Sequence, residues 1–75
     1  MHIDAEIDLR GLRCPLPVLR VKKALGELSA GGVLRAFAND PGAAEDIPAF
    51  IAQTGHELRE VSPRDGGHYF VVVKK

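Results

Sequence analysis

The sequence predicts an α/β fold, an α+β two-layer sandwich in the order βαβαββ, with a four-stranded mixed sheet and two helices on one face. Three observations carry this expectation. Residues 3–10 alternate apolar and polar with a period of two. Residues 18–28 place apolar side chains at helical spacing. Residues 68–73 form a continuous β-forming run.

Each element follows in order. Ile3, Ala5, Ile7 and Leu9 alternate with Asp4, Glu6, Asp8 and Arg10, the pattern of a half-buried strand, and Gly11 ends it. Pro15 and Pro17 open a helix, because the first turn has N–H groups without intrahelical partners and tolerates their loss. Val18, Val21, Leu25 and Leu28 mark its inner face, and Ser29-Ala30-Gly31-Gly32 stops it. Val33 to Ala38 is the second strand. Asp40 then caps a second helix, with Pro41 in its first position. Pro48 predicts a bent first turn or a restart near Asp46, since proline removes an interior hydrogen bond. Ile47, Phe50 and Ile51 face inward and Gly55 is the stop. His56 to Ser62 is a third strand. Pro63-Arg64-Asp65-Gly66-Gly67 is a turn, and His68 to Val73 is the last strand. That strand is apolar on both sides, which marks a candidate contact surface.

The first strand–helix–strand unit is expected to be parallel and right-handed. Two layers then put both helices on one sheet face, with their N-termini after the carboxyl ends of strands, where α/β proteins place their sites.

Bulk properties narrow the function. Seventy-five residues make one domain spanning 1–75, of a size that buries only about 60% of its unfolded surface, so chemistry is expected at the surface. Ten basic residues balance ten acidic ones, which argues against direct nucleic-acid binding through bulk charge. The start, Met1-His2-Ile3-Asp4, lacks an apolar signal region, and no apolar run is long enough to cross a bilayer. One cysteine allows no internal disulfide. The expected setting is the reducing cytoplasm, with no membrane partner.

Cys14 is the candidate catalytic residue. It sits at or near a helix N-cap, where free N–H groups and positive partial charge favour a thiolate. An ordinary thiol has a pKa of about 8.5, so a shift of about 1.5 units makes it half ionised at neutral pH. Arg13 beside it and Arg10 nearby are the candidate electrostatic support, and the prolines stiffen the turn. The alternative is a buried structural cysteine packing as a small hydrophobe. On the helix wheel, Leu16 and Leu19 fall away from the inner stripe and share a side with Arg20 and Lys23. These four form a candidate partner-docking face; the alternative is two ordinary exposed leucines beside a solvated run that includes Lys22. His2, His56 and His68 have no metal-ligand spacing with one another or with Cys14, so no metal site is expected.

The segment Asp8-Leu9-Arg10-Gly11-Leu12-Arg13-Cys14-Pro15-Leu16-Pro17 resembles the signature of the TusA/SirA family of sulfur-carrier proteins, whose hallmark is Cys-Pro-x-Pro at a helix start. The resemblance continues through Asn39-Asp40-Pro41-Gly42, Asp46-Ile47-Pro48-Ala49-Phe50 and Thr54-Gly55-His56-Glu57-Leu58. It implies the two-layer βαβαββ sandwich. It also implies a carrier cysteine, matched by Cys14, with Pro15 and Pro17 in the motif's structural positions. No cofactor is implied beyond a covalent persulfide on Cys14. The implied partners are a sulfur donor, either a cysteine desulfurase or a rhodanese-type protein, and an acceptor protein in tRNA thiolation, cofactor synthesis or sulfur oxidation. Many relatives have a second cysteine where this chain has Ile51, so only a relay on Cys14 carries over. The competing functions are a non-catalytic regulatory or interaction module of the same fold and a related selenium-handling role.

Overall fold

The computed structural model describes residues 2–75; Met1 of the N-terminal reading lies outside them. The elements are β1 (Ala5–Asp8), α1 (Leu16–Gly26), β2 (Val33–Ala38), α2 (Pro41–Thr54), β3 (Glu57–Arg64) and β4 (Gly67–Val73). The sheet order is β1-β2-β4-β3. β1 and β2 are parallel, whereas β2–β4 and β3–β4 are antiparallel, so the sheet is mixed as the sequence predicts.

β2 and β4 are central, which explains why both are apolar on two faces. Leu34, Ala36, Ala38, Phe70 and Val72 point to one face, where they pack with Val21 and Leu25 of α1 and Ala43, Ile47 and Ile51 of α2. Both helices therefore cover the same face. On the opposite face Val33, Val71 and Val73 form a smaller cluster packed against Ile3. The apolar outer side of β4 is thus mostly covered by its own chain, with Val71 and Val73 buried. Beside that cluster Arg35 pairs with Glu6 and lies over the Tyr69 ring, while Arg10 lies over Phe37.

Four local expectations are corrected. Ile3 was grouped with Ala5, Ile7 and Leu9, yet it packs on the other face. The chain bends at Asp4, whose carboxylate accepts the Val33 N–H at 2.8 Å, so the alternation restarts at Ala5. α1 ends at Gly26, before the predicted glycine stop, and Glu27 and Leu28 close it by donating to the carbonyls of Ala24 and Leu25. α2 neither restarts nor breaks: it is one helix with Pro48 inside it. An interior proline costs about 3 kcal/mol in an isolated helix. Ile47 and Ile51, both fully buried on either side of it, supply enough apolar burial to offset that. Finally, Pro63 and Arg64 belong to β3, and the turn is only Asp65-Gly66. Both residues have positive φ, 44° and 79°, the two-residue geometry that Asp-Gly favours in hairpins.

β3 also contains a register shift between Leu58 and Glu60. The extra residue, Arg59, lets Leu58 oppose Val72 and Val61 oppose Phe70, so two positions three apart share the helix-covered face.

Candidate functional site at the two strand-to-helix corners

β1 and β2 run parallel, so the loops leaving their carboxyl ends emerge side by side. The first loop carries Cys14 and the second carries Asn39 and Asp40. They are tied together where the Gly11 N–H donates to Asn39 Oδ1 at 3.0 Å. Between them lies a shallow depression of about 420 Å³ lined by Gly11, Leu12, Arg13, Asn39, Asp40 and Pro41.

Cys14 is exposed and free, which removes the buried structural alternative. It lies one residue before Pro15, the N-cap of α1, and the Cys14–Pro15 peptide is cis. Pro17, in the first turn of α1, is buried.

The predicted acidity of this thiol is overturned. Cys14 Sγ donates its proton to Asp46 Oδ2 at 2.8 Å, across 32 positions of sequence. That hydrogen bond to Asp46, some desolvation, and the negative charges of Asp46 and Asp40 push the thiol above its ordinary range. The helix terminus does not counter this, for a local reason. Pro15 and Pro17 have no N–H to offer. The Leu16 N–H turns back to the Arg13 carbonyl at 2.9 Å. Three of the four first-turn donors are therefore missing or used, which leaves the Val18 N–H.

The expected arginine support is corrected with it. Arg10 is clamped by Asp8, with Nε to Oδ1 at 2.9 Å and a second guanidinium nitrogen to Oδ2 at 2.7 Å. Its guanidinium sits over Phe37, on the sheet face away from the helices. The pair holds the Asp8 carboxyl down at about 2. Arg13 is exposed beside Cys14 and lines the depression, but the charges acting on the thiol are the two carboxylates.

Asp40 caps α2 as predicted, accepting the Ala43 N–H at 3.2 Å. Asp46 and Gly42 were not singled out as site residues. They lie four apart on α2, so they share a helix flank, next to the buried Ala43–Ile47–Ile51 stripe. Gly42 keeps the space beside the Asp40 cap open. A Cβ there would lie 2.9 Å from Asp40 Oδ2 and 3.4 Å from Cys14 Cβ, with Asp46 Oδ2 at 3.9 Å. A side chain there would crowd the Asp40 cap and would only touch Cys14 and Asp46 at ordinary contact distance. No local pattern in α2 joins Asp46 to Cys14, 32 positions away.

Leu16 and Leu19 are 46% and 52% exposed, and Arg20 and Lys23 are exposed as well. The outer face of α1 thus presents two large apolar side chains near Cys14. Ile51 is core. His2 pairs with Asp4, and His56 Nδ1 accepts the Lys75 N–H. Among the described residues no three His, Cys, Asp or Glu side chains converge as a metal-binding group. No helix among them is long and apolar enough to cross a membrane.

Known proteins resemble this chain along nearly its whole length. The family described as sulfurtransferase TusA matches residues 5–75. The sulfur carrier protein TusA of Allochromatium vinosum is 50% identical over 72 residues, covering 96% of this chain and 93% of that protein. The TusA of Pseudomonas entomophila is 43% identical over 72 residues, covering 96% and 90%. Among solved structures, a SirA-like protein from Desulfitobacterium hafniense superposes with a TM-score of 0.77 at 33% identity, covering 92% of this chain and 93% of that one. With the family match spanning nearly the whole chain and the same fold in a solved relative, this chain belongs to the TusA sulfurtransferase family.

Proposed function

We propose that this protein is a sulfur carrier that takes sulfane sulfur from a donor protein as a persulfide on Cys14 and hands it to an acceptor protein. The observation that carries the reading is the exposure of Cys14, the chain's one thiol, at a corner open to solvent and to partners. Membership of the TusA family supports the carrier role. The donor class is a cysteine desulfurase or a rhodanese-type protein.

The chemistry needs little else. Cys14 as thiolate attacks the outer sulfur of the donor persulfide, and the donor cysteine leaves with the bonding pair. Delivery is the same exchange in reverse roles: an acceptor thiolate attacks the terminal sulfur of Cys14–S–SH, and Cys14 leaves. A second cysteine nearby would divert the sulfur into a disulfide, and the chain has none. Docking falls to the outer face of α1. Leu16 and Leu19 seat the partner and exclude stray thiols, while Arg20 and Lys23 steer an acidic surface toward them.

The test is loading. Incubated with a cysteine desulfurase, its pyridoxal cofactor and cysteine, the protein gains the mass of one or more sulfur atoms, and dithiothreitol strips it. Cys14→Ala gains nothing. Equal loading of that variant would remove the carrier assignment, and full function in it would favour a non-catalytic interaction module.

A further inference from the structure

Sulfur exchange requires an accessible sulfur and no acid, yet α2 brings a carboxylate onto Cys14. Asp40 has a separate task as the N-cap. Asp46 has none: among the described residues its only side-chain hydrogen bond is the one it accepts from Cys14 Sγ, at 2.8 Å. Gly42, one turn before Asp46 on the same flank of α2, adds no side chain between the two helix starts.

A carboxylate is badly matched as a base for a thiol. Ordinary values of about 3.9 and 8.5 leave the proton on sulfur by more than four powers of ten. The contact therefore favours the thiol, the form that does not attack. The charges that shift it are Asp46 and Asp40 from α2, and Arg13, next to it in the chain, does not offset them.

We propose that Asp46 is a positioning residue that locks Cys14 as a hydrogen-bonded thiol in the free protein, and that a cationic side chain of the docked donor releases it by pairing with that carboxylate. The lock would confine exchange to the donor complex and spare the free carrier from attacking any disulfide or persulfide it meets. On release the thiol proton passes to solvent. The Cys14 thiolate then attacks R–S–SH, the new S–S bond forms as the donor's S–S bond breaks, and R–S⁻ leaves and takes a proton. The sum is R–S–SH plus Cys14–SH giving R–SH plus Cys14–S–SH, with no external oxidant or reductant.

The purpose of the release rests on the carrier reading of Cys14; the lock itself does not. The experiment is therefore alkylation of the free protein by iodoacetamide, an uncharged reagent, across pH, for wild type and Asp46→Asn. The variant should react about three- to tenfold faster at pH 7, with its profile displaced to lower pH. An unmoved profile, or one displaced to higher pH, overturns the lock. Wild type tests the same point without any substitution. Raising salt from about 10 mM to 1 M screens the carboxylates and should speed its alkylation; no rise counts against the lock. Loading by a cysteine desulfurase reads the second half. Since the donor already supplies the release, Asp46→Asn should gain less in loading than in alkylation, and an equal gain overturns release by a donor cation. If Cys14 accepts no sulfur at all, the carrier reading fails while the alkylation result still stands.

Discussion

The two strand-to-helix corners are close neighbours built on opposite terms. The corner into α2 is conventional: Asp40 has extended backbone, its side chain accepts the Ala43 N–H, and Pro41 occupies the first helical position. The corner into α1 has Pro15 as N-cap, no side-chain cap and a second proline two residues on. A capped terminus satisfies its donors and is chemically quiet. An uncapped, proline-blocked terminus has few donors to give, so a sulfur placed there takes its electrostatics from its surroundings. Here those surroundings are the acids of the capped corner, Asp46 and Asp40. One corner presents the thiol and the other supplies the carboxylates that act on it.

That division can be broken from below. Ile47 is fully buried and holds α2 against Leu34, Ala36, Phe70 and Val72. Ile47→Ala should destabilise the protein by about 2–5 kcal/mol, the range for deleting a large aliphatic side chain in a core. Urea denaturation reads the effect. A loss below about 1 kcal/mol would mean that the second corner is not held through its core stripe.

A smaller change sharpens the contrast between the caps. Asp40→Ala leaves the Ala43 N–H without its side-chain partner and should cost about 1 kcal/mol, measured by thermal unfolding. Replacing Pro15 by alanine removes no cap bond, since none exists there. Equal losses in the two variants would erase the distinction drawn between the corners.

Next comes the outer face of α1. Serine at both Leu16 and Leu19 should shift stability by no more than about 0.5 kcal/mol per site, because both are half exposed. Partner binding and sulfur transfer should fall in the same variant, and charge reversal at Arg20 and Lys23 should slow association most at low salt. A large drop in melting temperature would make these leucines core. Unchanged stability with unchanged transfer would make the face ordinary surface.

The smallest effect belongs to the Asp8–Arg10 clamp, which closes the start of the first corner. The folded Asp8 carboxyl titrates at about 2, below its ordinary 3.8. Its contribution is therefore present above pH 4 and is lost as pH falls from about 4 to about 2. Both side chains are more than half exposed, so the gain is small and salt-sensitive. Asp8→Asn should flatten part of the acid limb of a stability–pH curve and leave the neutral region nearly unchanged. An identical acid limb in both proteins would show that the clamp contributes nothing.

The sequence by itself determined the order of elements, the parallel first pair, the cap at Asp40 and the identity of Cys14 as the exposed thiol of a helix start. These rest on short-range rules: period two or 3.6, proline at a first turn, Asx capping. It also separated Leu16 and Leu19 from Val21 and Leu25, since one helix fixes both faces. It failed where a second element decides. Pro48 reads as a break until Ile47 and Ile51 are seen buried on either side of it. Arg10 reads as support for a thiolate until Asp8 and Phe37 claim it on the other sheet face. Cys14 reads as acidic from its own helix, because helix dipoles and neighbouring arginines are visible in sequence. The Asp46 carboxylate is 32 positions away, and the parallel pairing of β1 and β2, which sets the two helix starts side by side, brings it to 2.8 Å. Tertiary structure decided the protonation of the site because electrostatics acts through distance in space, and local sequence patterns report only distance along the chain.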